Sequence, residues 1–289
     1  MQQEQQARRA ALTVSGGALL LAVAKAVVGF SAGSIAVLSS ALDSAGDVLA
    51  SFANFVFLTI AAKPPDEDHH FGHGKAEHLA SMLQGVILLS GGVLLGIHAI
   101  ERIRNPRPIE SSFVAIATMV ASIVATVVIT AYLKRNAAQS ESSALVADSL
   151  HYTSDIISNL ATIIALVIVR WTGNPLFDSI LGISVACWIA WNSLYLLWNA
   201  SSDLMDPALP TEDIQKIIQA IERADPTVVS YRQLRTRRSA GMRFVDVELC
   251  IDRGVSFEKA HAVTEMVKDR IREHFPRVII NAHAEPVER

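Results

Sequence analysis

The sequence predicts a membrane α-helical protein in which six transmembrane helices precede a small soluble α+β domain. Its 289 residues are 51% hydrophobic, with a mean hydropathy of +0.34, too apolar for an ordinary soluble protein. Charge is spread unevenly, because residues 207–289 hold 27 of the 53 charged side chains (25 Lys and Arg, 28 Asp and Glu). The chain is therefore predicted to comprise a membrane domain over residues 1–206 and a water-soluble domain over residues 207–289.

Apolar runs of about 20 residues, the length that crosses a bilayer, define the six predicted helices. The spans are drawn at residues 10–30, 35–62, 79–101, 111–133, 143–170 and 177–201. The second and fifth runs are interrupted by ionisable residues at regular intervals, and the third, fourth and sixth have uncharged centres. An even number of spans puts both termini on one side of the membrane. The slight excess of Lys and Arg in the loops on that side favours the cytoplasm.

Two of the apolar spans carry ionisable pairs with helical spacing. Asp43 and Asp47 lie four residues apart in the second span, and His151 and Asp155 in the fifth, so each pair occupies one helix face. A charged side chain at the bilayer centre costs roughly 2.5–3.5 kcal/mol even on the mildest scale, so these residues need compensation. Three carboxylates and one imidazole suit a tetrahedral divalent metal such as zinc. The alternative is helix–helix contact in which the buried acids pair with Lys25 or are hydrogen-bonded.

The loop between the second and third spans combines acids with imidazoles. Residues 66–73 contain three acidic residues and three histidines, and the surrounding prolines and glycines mark a loop. This composition predicts a second metal site. The alternative is a solvated acidic loop without a bound ion.

The soluble segment is predicted to fold in the order αββαβ. The predicted elements are a helix from about 210 to 223, strands over 228–237 and 243–251, a helix over 256–274 and a strand over 277–284. Thr211 and Ser256 are the predicted N-caps of the two helices. A domain of this size has little core of its own, which favours pairing with a second copy.

Four motifs resemble those of the cation diffusion facilitator family, in its bacterial zinc and ferrous-iron efflux branch. They are Asp43-x3-Asp47, Phe71-Gly-His-Gly-Lys-Ala-Glu77, His151-x3-Asp155 and Leu234-Arg-Thr-Arg237. The resemblance covers nearly the whole chain. It implies a homodimer with a cytosolic metallochaperone-like domain, which exports a divalent metal in exchange for protons by alternating access.

The resemblance also implies three metal sites. The implied ligands are Asp43, Asp47, His151 and Asp155 for transport, Asp66, His69 and His73 in the loop, and Glu248, His261, His283 and Glu285 in the cytosolic domain. Two positions depart from the family pattern, because Arg232 and Glu248 stand where histidine ligands are expected. An Arg side chain cannot ligate a metal, so the cytosolic site is expected to hold fewer ions or to bind them more weakly.

The predicted function is transport and not catalysis. Zinc is the first expected substrate, with Fe(II), Cd(II) and Mn(II) left open, and no prosthetic cofactor is expected. His151 is the expected proton-coupling group, because an ordinary imidazole has a pKa of about 6.5. The expected location is the bacterial inner membrane, with the lipid bilayer, metal ions and protons as partners, and a net charge of −3 predicts no nucleic-acid surface. The alternatives are a membrane-anchored metal sensor and an intramembrane metallohydrolase, although no HExxH motif is present.

Overall fold

Six long helices form the first part of the computed structural model, which describes residues 2–32, 35–105, 113–174, 176–239 and 241–288. They are α1 (Gln2–Ala32), α2 (Ile35–Ala61), α3 (Ala76–Arg104), α4 (Phe113–Ser140), α5 (Ser143–Thr172) and α6 (Leu176–Leu204). Each is long and apolar enough to cross a membrane, which confirms the six predicted spans within the described residues. The chain divides into two compact units, residues 1–201 and residues 202–289.

The helices extend beyond the predicted spans, because their hydrogen bonds continue after the apolar residues end. α1 begins at Gln2, well before the predicted span, and α4 continues to Ser140. Hydropathy marks only the part of a helix that contacts lipid. Backbone capping fixes the true ends of α5: the Ser142 side chain accepts the N–H of Leu145 at 3.3 Å, and Gly173 ends the helix with a left-handed φ of 68°.

The first unit places large apolar side chains outside and polar side chains inside. Leu20, Phe30, Trp191 and Trp198 are 72–77% exposed, whereas Asp148 is fully buried. Soluble proteins show the opposite distribution. A surface that faces lipid accounts for the exposed residues, and the buried polar residues mark the interior between helices as the place to look for chemistry.

Small residues let the helices approach one another closely. The core cluster that joins α1, α2, α3, α4 and α5 consists mainly of alanines, around Leu133, Leu145 and Tyr152. α3 approaches α6 through glycines. A Cβ on Gly92 would lie 2.9 Å from the Ile189 side chain. Because lipid tails are as apolar as leucine, such close contacts, and not the hydrophobic effect, hold membrane helices together.

The second unit contains three strands and two helices. They follow one another as α7 (Thr211–Glu222), β1 (Val228–Ser239), β2 (Met242–Asp252), α8 (Phe257–His274) and β3 (Val278–Val287), which confirms the predicted αββαβ order. β2 is the central strand, antiparallel to β1 and parallel to β3. Ser256 caps α8 as predicted, by accepting the N–H of Lys259. The Thr211 prediction is wrong, because Pro210 holds the N-cap position and Thr211 is already helical.

The two helices cover one face of this sheet. Val245, Val247 and Leu249 on β2 join the core with residues of α7 and α8. The residues between them, Asp246 and Glu248, belong to the opposite face, because side chains alternate along a strand. The open face of the sheet is therefore the charged one.

Candidate metal centre

Three ionisable side chains meet between α2 and α5. The His151 Nε2 atom lies 2.9 Å from Asp47 Oδ1 and 3.8 Å from Asp155 Oδ2. Each of the three residues offers a ligand atom within 4.8 Å of the others. His151 is buried, and both aspartates are partly buried. The spacing of one ligand pair within α5, together with the packing of α5 beside α2, produces this cluster.

Asp43 lies at the edge of the cluster and not within it. It is exposed, one helical turn before Asp47, and no group of three ligands among the described residues includes it. It does line the same cavity of about 230 Å³ as Asp47 and Asp155. The structure thus brings together three of the four predicted transport ligands and places the fourth on the wall of the adjoining cavity. Metal binding by all four stays a prediction.

Polar residues from two further helices complete the cavity wall. Lys25 of α1 is 8% exposed, and its Nζ atom donates to Ser44 Oγ at 2.7 Å. Ser122 and Thr126 of α4, both buried, also line the cavity. These two α4 residues were not predicted from the sequence, although Thr118, Ser122, Thr126 and Thr130 recur every four residues along one face of the span.

A hydrogen-bonded network lies beside the cluster. Ser51 of α2 donates to Asp148 Oδ1 at 3.2 Å, and the Tyr152 hydroxyl lies 2.9 Å from Ser51 Oγ. Since Ser51 has one proton and gives it to the carboxylate, the Tyr152 hydroxyl is the donor in the second bond. Asp148 does not line the cavity, so its role here is to join α2 to α5. Asp148, three positions before His151, is thus a neighbour of the cluster and not one of its ligands in this structure.

The three predicted loop ligands also lie together. The two carboxylate oxygens of Asp66 are each 3.3 Å from an imidazole nitrogen, one of His69 and one of His73. The backbone N–H of His69 donates to Asp66 at 2.7 Å, and this bond lowers the pKa of the Asp66 carboxyl below its usual value. Gly72, with φ of 78°, permits the turn that brings His73 back. An ionised carboxylate between two imidazoles is a donor set that suits a divalent metal.

The predicted cytosolic ligands are only partly assembled within one chain. His283 Nε2 lies 3.1 Å from Glu285 Oε1 on β3, and Glu248 occupies the register position beside His283 on β2. Arg232 is the register partner of Glu248 on β1. His261 lies on α8, which covers the other face of the sheet, so the structure does not bring it to the other three. Among the described residues, no group of three close ligands occurs in this unit.

The fold and these sites define a class: a polytopic membrane protein with a metal-compatible cluster between its helices and a separate soluble domain. The family model described as the cation efflux transmembrane domain matches residues 12–205, and the model described as the cytoplasmic domain of cation efflux proteins matches residues 209–287. The chain belongs to this cation efflux family, the cation diffusion facilitators. The resemblance predicted from its motifs is thereby confirmed.

Named relatives align along almost the full chain. The cation-efflux pump FieF of Shewanella oneidensis is 34% identical over 271 residues, covering 94% of this chain and 91% of that protein. FieF of Cronobacter sakazakii is 32% identical over 278 residues, covering 96% and 92%. A solved MamM C-terminal domain in a nickel form matches 27% of this chain and 100% of that chain at 24% identity, with a TM-score of 0.26. Family membership makes the chain an integral membrane transporter of the cation-efflux type.

Proposed function

We propose that the protein exports a divalent metal cation across the bacterial inner membrane, with zinc as the first candidate. The observation that carries the proposal is the cluster of Asp47, His151 and Asp155 inside the helical unit, with Asp43 on the adjoining cavity wall. One imidazole and three carboxylates form a tetrahedral O/N set that zinc accepts. Fe(II), Cd(II) and Mn(II) remain alternative substrates, because ligand type alone separates these ions poorly.

The proposed mechanism exchanges the metal for protons by alternating access. A metal binds neutral imidazole and ionised carboxylate, so it displaces protons from both. In the absence of metal, a proton between His151 Nε2 and Asp47 Oδ1 accounts for their 2.9 Å contact. These two residues belong to α5 and α2, so relative movement of the two helices would open and close the coordination sphere. No prosthetic group is part of this mechanism, and the metal is its substrate.

The two parts of the chain have separate proposed roles. Residues 1–206 form the transport domain, and residues 207–289 form a cytosolic metal-binding and dimerisation domain, with both termini in the cytoplasm. The match to a family model described as cytoplasmic supports this orientation. A second copy of the chain would supply His261 to Glu248, His283 and Glu285, because α8, which carries His261, covers the opposite face of its own sheet. This requirement fits a homodimer.

Asp66, His69 and His73 are proposed as a second metal site, outside the membrane spans. The lowered pKa of the Asp66 carboxyl keeps it ionised at neutral pH, so a metal displaces no proton from this ligand.

Metal flux in proteoliposomes tests the proposal. Wild-type protein is reconstituted with an internal pH dye, and initial uptake of Zn(II), Fe(II), Cd(II) and Mn(II) is measured against empty vesicles. Uptake of at least one ion, with opposite movement of protons, is expected. A metal sensor or a metallohydrolase would produce neither, so absence of flux for every ion would overturn the proposal. Metal flux without a pH change would support the proposed export and refute the proposed exchange for protons.

A further inference from the structure

A buried lysine shares the cavity with the proposed transport ligands. Lys25 lies on α1, is 8% exposed, and lines the same cavity as Asp43, Asp47 and Asp155. A buried ammonium needs partners, and burying one inside a membrane domain is costly. Its one hydrogen bond among the described residues goes to a neutral hydroxyl, Ser44 Oγ, at 2.7 Å. No ion pair within 4.0 Å joins Lys25 to a carboxylate in the described part of the chain.

The surroundings of Lys25 are otherwise acidic or neutral. α2 contributes Asp43 and Asp47, and α5 contributes Asp155, with His151 behind it. α4 contributes only hydroxyl groups at this cavity. Lys25 is thus the one lysine or arginine among the described residues that line the cavity, and it shares this space with three carboxylates. That space, about 230 Å³, is where a second cation would enter.

We propose that Lys25 is a charge-balancing residue of the transport site, an inference that rests on the proposed export of a divalent cation. With a neutral imidazole, the carboxylates of Asp43, Asp47 and Asp155, the ammonium and one divalent ion sum to zero charge; Asp148 is not counted because it does not line the cavity. Without the ammonium the loaded site would carry one negative charge inside the membrane. Lys25 therefore makes the loaded site neutral. It also weakens the hold of the carboxylates on the metal, so that the ion can be released on the far side.

A structural role for Lys25 predicts the opposite result from a charge role. If the lysine merely joins α1 to α2 through Ser44, its removal disturbs the site and weakens metal binding. If its charge opposes that of the metal, removal strengthens metal binding and slows release. The direction of the change in affinity separates the two roles.

The test compares four variants with the wild type. Lys25→Met and Lys25→Gln remove the charge, Lys25→Arg keeps it, and Ser44→Ala removes the hydrogen bond alone. Equilibrium zinc binding to each purified protein is measured by titration. Each titration is repeated with Asp47→Ala introduced into the same protein, and the zinc binding that this second substitution removes is assigned to the membrane site. Both neutral variants should bind zinc roughly tenfold more tightly, because a unit positive charge is lost across a poorly screened cavity. Their maximal zinc flux in proteoliposomes should fall by about tenfold as release slows.

Lys25→Arg and Ser44→Ala should both bind zinc like the wild type. Unchanged or weaker zinc binding in the neutral variants would overturn the inference, as would a Ser44→Ala variant that behaves like them. Gel filtration establishes that each variant is folded. If one of the two neutral variants does not fold, the other alone is enough for the test. Absence of wild-type flux would refute the proposed export, while the binding titration would still decide the role of Lys25.

Discussion

Replacing Asp47 with alanine should abolish zinc transport while leaving the protein folded. Its carboxylate lies 2.9 Å from His151 Nε2. Two unit charges about 4 Å apart interact by roughly 4 kcal/mol at an effective dielectric constant of about 20, and a divalent ion doubles that value. Because water replaces part of the interaction, we expect a net loss of about 3 kcal/mol, which is roughly 100-fold in zinc affinity. Folding should be unaffected, since alanine removes a charge from the membrane interior.

The assay for this variant is the initial rate of zinc uptake into proteoliposomes at a zinc concentration that half-saturates the wild type, where such a loss of affinity leaves almost no uptake. Gel filtration first shows an unchanged elution volume. Asp178→Ala is the matched control. Asp178 also belongs to the helical unit, but it pairs with Arg102 and lies outside the cluster. Loss of this half-exposed pair is expected to cost about 0–1 kcal/mol and to preserve zinc flux. Normal flux in folded Asp47→Ala would refute the assignment of Asp47 as a transport ligand.

Three further predictions concern selectivity, the cytosolic site and acid stability. His151→Asp makes the cluster all-carboxylate, so the flux of Mn(II) should rise relative to that of zinc. The pH dependence of transport should move toward the range in which carboxylates titrate, and both changes are measured by the flux of the two ions at several pH values. Calorimetric titration of residues 202–289 should show zinc binding weaker than micromolar or fewer than two ions per chain, because Arg232 stands where the family resemblance implies a histidine ligand and an Arg side chain cannot ligate a metal. Hydrogen bonds from Thr227, and to a lesser extent from Lys259, hold the pKa of the Asp225 carboxyl at about 2, below the roughly 3.9 of an unfolded Asp. The ionised carboxylate therefore stabilises the fold above about pH 4, and this contribution is lost as the pH falls through 2. Asp225→Asn should therefore lower the thermal midpoint of this segment at pH 7, and the difference should vanish toward pH 2 by circular dichroism.

The order of the elements could be predicted because each leaves a one-dimensional pattern. A run of about 20 apolar residues excludes most structures other than a transmembrane helix. The alternation of apolar and polar residues at 243–251 identifies β2. Helix ends could not be placed as well, since they depend on backbone conformation. Gly173 ends α5 through a left-handed φ, and Pro210 displaces Thr211 from the cap. The β1–β2 register, with irregularities between 228 and 230 and between 232 and 235, also had no signal in the sequence.

The site was predictable where its ligands share a helix and less so where they come from different helices. The i, i+4 spacing identified Asp47 and the α5 pair, which the structure brings together. This spacing alone does not distinguish the role of Asp43 from that of Asp47, because the distance of each carboxylate from α5 depends on how α2 and α5 cross. His261 illustrates the same limit in the soluble unit, since only the folded sheet reveals that it lies on the far side from His283.

The hydrogen bonds of Ser51 bear on which ions can pass. Ser51 follows Asp47 by one helical turn on α2, and its partners Asp148 and Tyr152 flank His151 on α5. In the conformation seen here, these bonds, which never touch the substrate, help to hold the two ligand-bearing helices together. Ligands held at one separation while the ion is bound discriminate by ionic radius as well as by softness, because an ion that is too large must stretch the network to be coordinated. Loosening this contact with Ser51→Ala would then broaden the range of transported ions toward larger ones such as Cd(II), and transport itself would continue.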